Sequence, residues 1–88
     1  MTDSTYNGWT NYPTWRINLE YFDGFEPEGF EDFSFETLME YIKEGVEEDI
    51  AMESKGHAKM YAFAFLADVN WYEIATHLYN QIHEKEEN

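Results

Sequence analysis

Glu36, Glu40, Glu44 and Glu48 recur at every fourth position, a spacing that on a helix stacks four carboxylates in one row, each about 6 Å from the next. Paired carboxylates can perform general acid–base catalysis, but that chemistry needs two of them in unlike environments inside a cleft. A row of solvated glutamates repeats one environment. What it offers is a line of negative charge, and like charges at this spacing cost a helix about 0.2–0.5 kcal/mol per pair. Lysine or arginine on alternate turns would have removed that repulsion. Two readings follow: a solvated face that keeps a small protein soluble, or a binding surface for something positively charged.

The row belongs to a wider acidic stretch. Thirteen of the nineteen acids lie between Glu20 and Glu53, where the single base is Lys43, and the whole chain carries a formal charge of −14. The candidate partner-binding residues are therefore Asp23, Glu26, Glu28, Glu31 and Asp32 ahead of the row, the four glutamates of the row, and Glu47 and Asp49 beside it. A chain this acidic is repelled by nucleic acid and by anionic membranes, whose binders carry basic patches. Its seven Tyr, seven Phe and three Trp have rings that could stack on bases, yet the charge opposes that use. The expected partner is a basic protein, with no direct nucleic-acid or membrane contact.

Other chemistries fail on residue type or spacing. The chain has no cysteine, so a disulfide framework, a thiolate metal site and a cysteine nucleophile are all excluded. His57, His77 and His83 form no His-x-x-x-His or His-Glu-x-x-His pair, and surface or capping roles suit them better than metal ligation. An EF-hand needs an acid or Asn five positions before its glycine, whereas Leu19 precedes Gly24 and Gly24 precedes Gly29; at most the loop acids bind divalent ions loosely. There is no Gly-rich phosphate loop. Neither an enzyme nor a cofactor or metal protein is expected.

At 88 residues the chain has room for one domain with a modest core. Its 43% apolar and 19% aromatic content can drive folding despite a charge that alone would suggest disorder, with disordered ends expected. Met1 to Thr5 lacks the basic and apolar regions of a signal peptide, and no run reaches the ~18 apolar residues of a membrane span. A reducing cytoplasm fits. Residues 1–10 read as an aromatic arm packed on the core, without clear period.

Asn11 can cap a first helix, with Pro13 in its first turn. Trp15, Leu19 and Phe22, with Ile17 and Tyr21 beside them, give that helix a wide buried arc to about Asp23. The segment from Gly24 to Glu31 is punctuation. Phe35, Leu38, Met39, Ile42, Val46 and Ile50 then form the stripe of a second helix, capped by Asp32 or Ser34. Gly45 inside it costs about 1 kcal/mol against Ala, consistent with close packing or a bend. Ala58 to Val69 is apolar nearly all round, which predicts a central third helix. Asn70 and Glu73 open a last helix in the form of a capping box, with Trp71, Ile74, Ala75, Leu78 and Ile82 buried and fraying from Glu84 to Asn88. The expected fold is all-α, a compact bundle of about four helices with an acidic outer face, the third helix wrapped by the others.

Asn7-Gly8-Trp9-Thr10-Asn11-Tyr12-Pro13-Thr14-Trp15 resembles the opening of a group of small phage and mobile-element proteins that begin Asn-Gly-Trp-Thr-Asn-Tyr-Glu-Thr-Trp, with Pro13 in place of the usual Glu. Trp71-Tyr72-Glu73-Ile74-Ala75 is similar to a Trp-x-Glu-Ile-Ala run near their C-terminal ends. The resemblance implies a phage or mobile-element origin and carries no mechanism; the first motif reads structurally as a helix N-terminus with two Trp anchors. Acidity and origin together predict an anti-defence protein that mimics DNA in the basic cleft of a host restriction or CRISPR effector. Four glutamates span about 18 Å of helix, sparser than the one charge per ~1.7 Å of duplex, so the loop acids must supply the rest and a homodimer would lengthen the surface. The alternative is a small interaction or regulatory protein that binds a basic phage or host protein without blocking DNA.

Overall fold

A computed structural model describes residues 5–86; the disorder expected at positions 1–4 and 87–88 lies outside the described residues. The chain enters its fold through a tight turn. Asn7 and Gly8 hold positive φ, 49° and 87°, the left-handed conformation that a two-residue type I′ hairpin turn requires and that Asn-Gly adopts most readily. On either side, Tyr6 and Trp9 exchange both backbone hydrogen bonds at 2.7 and 2.8 Å. The aromatic arm is thus a hairpin turn with its rings seated. Tyr6 lies 5.1 Å from Tyr12 and 4.9 Å from Trp15 between ring centroids, and Trp9 lies 5.3 Å from His77.

Asn11 caps α1 (Tyr12–Ile17), its side chain accepting the Thr14 N–H at 3.0 Å, with Pro13 in the first turn as expected. The helical path reaches Phe22, but Asn18–Phe22 is a π turn, in which each N–H bonds one residue further back than in an α-helix. That change of period rotates the later side chains off the stripe. Ile17 is buried and Trp15 and Phe22 are half-buried, whereas Leu19 and Tyr21 are exposed, so the buried arc is narrower than the α period predicts.

Between Gly24 and Ser34 the chain turns irregularly, with Pro27 buried and Phe25, Phe30 and Phe33 half-buried. Ser34, not Asp32, caps α2 (Phe35–Glu53), its hydroxyl accepting the Thr37 N–H at 3.1 Å. Leu38, Ile42 and Val46 are buried and Phe35, Met39 and Ile50 pack against them, the stripe that the spacing predicts. Gly45 is not required by close packing: a Cβ placed there meets nothing within 4 Å. Gly45→Ala is therefore expected to stabilise the chain by about 1 kcal/mol through helix propensity alone, read as a rise in thermal midpoint of about 4–8 °C.

The third helix corrects the sequence reading. α3 (Gly56–Ala67) buries only Leu66, with Phe63 and Phe65 half-buried, while Met60 and Tyr61 are 68% and 72% exposed. The central helix is α4 (Trp71–Glu86), where Ile74, Ala75, Leu78 and Ile82 are buried. It packs chiefly on α2, and it runs through the expected fraying region as far as Glu86. A chain this short cannot surround a helix on every side. The bulky stripe of α4 meets the matching stripe of α2, and α3 packs through Phe63, Phe65 and Leu66 while Met60 and Tyr61 stay outside.

A polar latch joins the start of α1 to the start of α4. Thr14, fully buried, donates its hydroxyl to Asn11 Oδ1 at 2.6 Å and accepts the Asn70 N–H at 2.8 Å. Asn11 Nδ2 donates to the Asp68 carbonyl at 2.8 Å. Asn70 caps α4 by accepting the Glu73 N–H at 3.0 Å, but Glu73 does not close the capping box: its carboxylate accepts the Thr10 N–H at 2.9 Å. Each helix cap is held by the segment that opens the other helix. The two motifs, far apart in sequence, are thus one structural joint. Thr14→Val keeps the shape and leaves the Asn70 N–H without its acceptor, so a loss of about 1–3 kcal/mol is expected in urea denaturation.

Candidate functional site

α2 carries the acidic row on its outward side. Glu36, Glu40, Glu44 and Glu48 are all exposed, because the buried stripe of Leu38, Ile42 and Val46 sets the opposite side of the helix against α4. Among the described residues, the ion pair that forms is Arg16 with Glu20, and no base among them forms an ion pair with the row. Asp23, Glu26, Glu28, Glu31 and Asp32 are likewise exposed. Glu31 turns back to accept the Gly29 N–H at 3.0 Å.

Two candidates sit differently from the rest. Glu47 is half-buried and lines a depression against α3 with Lys43, Phe63 and Trp71. Asp49 is half-buried and accepts the Tyr21 hydroxyl at 2.7 Å. Partial desolvation of the phenol first, although the residue as a whole is exposed, then this hydrogen bond and the charges of Asp49, Glu53 and Glu20, push the Tyr21 phenol up to about 12. A phenol whose pKa is higher in the folded chain than in the unfolded one stabilises the fold fully below the unfolded value of about 10. That contribution is lost as pH rises through about 12. Stability is therefore expected to fall between about pH 9 and pH 11 more steeply in the parent than in Tyr21→Phe, as urea midpoints at the two pH values would show.

Between the π turn, the 24–34 segment and α2 lies a cavity of about 530 Å³, within the range of small-ligand sites. Phe22, Phe25, Phe30 and Tyr41 wall it, and Glu26, Glu44 and Glu48 stand at its edge. The rings brace one another: Phe25 and Phe30 lie 5.2 Å apart, and Tyr41 lies 5.6 Å from both Phe30 and Phe33. This packing brings one loop acid, Glu26, to the same opening as two glutamates of the row. The sequence reading did not find the cavity. Its signals were present, in a glycine at mid-helix and in phenylalanines concentrated in a segment otherwise read as punctuation.

The histidines are dispersed, His57 in the first turn of α3, His77 against Trp9 and His83 at 4.3 Å from Tyr79. Among the described residues, no three His, Asp or Glu side chains are placed to hold a metal ion, and no helix is long and apolar enough to cross a membrane. No protein-family model, curated protein or solved structure matches the chain.

Proposed function

We propose that this chain is a phage or mobile-element anti-defence protein that acts in the host cytoplasm as a DNA mimic, presenting its acids to the DNA-binding cleft of a restriction or CRISPR effector. The observation that carries this reading is the exposure of all four row glutamates, with no ion pair to them from a base among the described residues. Exposed loop acids widen the negative surface beyond one row, and a homodimer would lengthen it. Such a protein works by occupancy, without catalysis, cofactor or metal. Complementary charge speeds encounter with a basic cleft and sets the register of binding.

The reading is tested by DNA cleavage assays with host restriction and CRISPR nucleases at several DNA concentrations. Inhibition that weakens as DNA increases supports mimicry; inhibition insensitive to DNA, or none from any DNA-cutting effector of the host, removes it. A second reading, an interaction protein that leaves the DNA site open, is favoured by one observation. Met60 and Tyr61 expose an apolar surface on α3 that a DNA mimic does not use.

A further inference from the structure

The aromatic cavity beside the row has chemistry that charge mimicry alone does not require. Four rings besides that of Tyr21 wall it, three carboxylates rim it, and among the described residues no lysine or arginine lines it. Ring faces attract cations through their quadrupole, and carboxylates attract them by charge. An anion is repelled by both. Tyr21 also lines the cavity and keeps its proton, its hydroxyl donating to Asp49, so no phenolate forms at neutral pH to alter that balance.

Gly45 extends the case. It lies at the cavity in the interior of a 19-residue helix, where alanine would be favoured by helix propensity and would clash with nothing. Its missing side chain leaves open space beside a cavity that Glu44 and Glu48 also line. Those two glutamates belong to both the row and the rim, so a basic surface docked on the row brings its cationic side chains to the mouth.

We propose that this cavity receives an arginine side chain of the basic protein partner, its guanidinium stacked on the phenylalanine and Tyr41 rings and paired with the carboxylates of Glu26, Glu44 and Glu48. This rests on the reading of the row as a surface for a DNA-binding protein, whose cleft displays arginines that otherwise pair with phosphate. Arginine fits better than lysine because its guanidinium is planar, stacks on rings and is more weakly hydrated than an ammonium. Arginine in a well-packed pocket is also a frequent centre of binding energy at protein interfaces. The row would steer the partner, and the cavity would hold it.

The test uses the ¹⁵N-labelled full chain and N-acetyl-arginine amide as the probe, with N-acetyl-norleucine amide as its neutral counterpart. Saturable shifts are expected at the amides of Phe25, Tyr41 and Gly45, with at least tenfold weaker binding of the norleucine amide. Gly45→Leu, which improves helix propensity while filling the cavity, is expected to keep the fold by circular dichroism and to lose those shifts. Shifts spread over all exposed acids without saturation, equal binding of the norleucine amide, or undiminished binding to folded Gly45→Leu would each overturn the proposal. Failure here is separable from failure of the DNA-mimic reading. If DNA competes for the partner with both the parent and Gly45→Leu at equal affinity, mimicry stands and the cavity assignment falls. If arginine amide binds in the cavity while DNA leaves partner binding unaffected, the site stands and mimicry falls.

Discussion

Truncation of Leu78 to alanine is expected to destabilise the chain by about 2–5 kcal/mol, the range for deleting a fully buried leucine side chain. Leu78 has no solvent exposure, and it lies between Ile74 and Ile82 on the stripe of α4 that meets α2. A domain of this length has a total stability of about 4–13 kcal/mol, so the loss is a large fraction of the whole and corresponds to a drop of at least ~8 °C in thermal midpoint. Met60→Ala in α3 is the control, since Met60 is 68% exposed and its truncation should stay within about 0.5 kcal/mol. Reversed magnitudes in urea denaturation would restore α3 as the central helix and contradict the packing described above.

Replacing Glu36, Glu40, Glu44 and Glu48 together by glutamine is expected to leave the fold intact and to slow association with the partner by about 10–10³-fold at low ionic strength. Glutamine nearly keeps the helix propensity of glutamate. Three like-charge neighbour contacts disappear at about 0.2–0.5 kcal/mol each, so the variant should be as stable as the parent or up to about 1.5 kcal/mol more stable. The effect on binding should shrink as salt rises, because exposed charges are screened beyond ~8 Å at physiological ionic strength. Surface plasmon resonance at two salt concentrations measures it. A row that only confers solubility gives the same gain in stability with unchanged association.

What could be read from the sequence depended on whether one period held throughout an element. The stripe of α2 was legible because Leu38, Ile42 and Val46 keep a helical spacing, and of the two caps open to it, Asp32 and Ser34, Ser34 takes the role. The same is true of Asn70 at the head of α4. The π turn was not legible, since it changes period inside an otherwise regular apolar pattern, and Leu19 and Tyr21 were misplaced as a result. The Asn7-Gly8 turn had its strongest local signal in plain view, obscured by the aperiodic aromatics around it. α3 misled because apolar composition measures what a helix could bury, whereas position in a small bundle depends on which stripes match in size. Of the candidate site, exposure of the row followed from the stripe opposite it. The separate placement of Glu47 and Asp49, and the cavity, depend on contacts between elements distant in sequence.

The reading of the row as a DNA mimic stands or falls on equilibrium competition, with the effector isolated on the immobilised chain and duplex DNA added in increasing amounts. Mimicry requires one site for both ligands, so the apparent Kd of the chain is expected to rise in proportion to DNA concentration once DNA exceeds its own Kd, with no complex containing all three components. A ternary complex of effector, DNA and chain, with the chain's affinity unchanged, would contradict it.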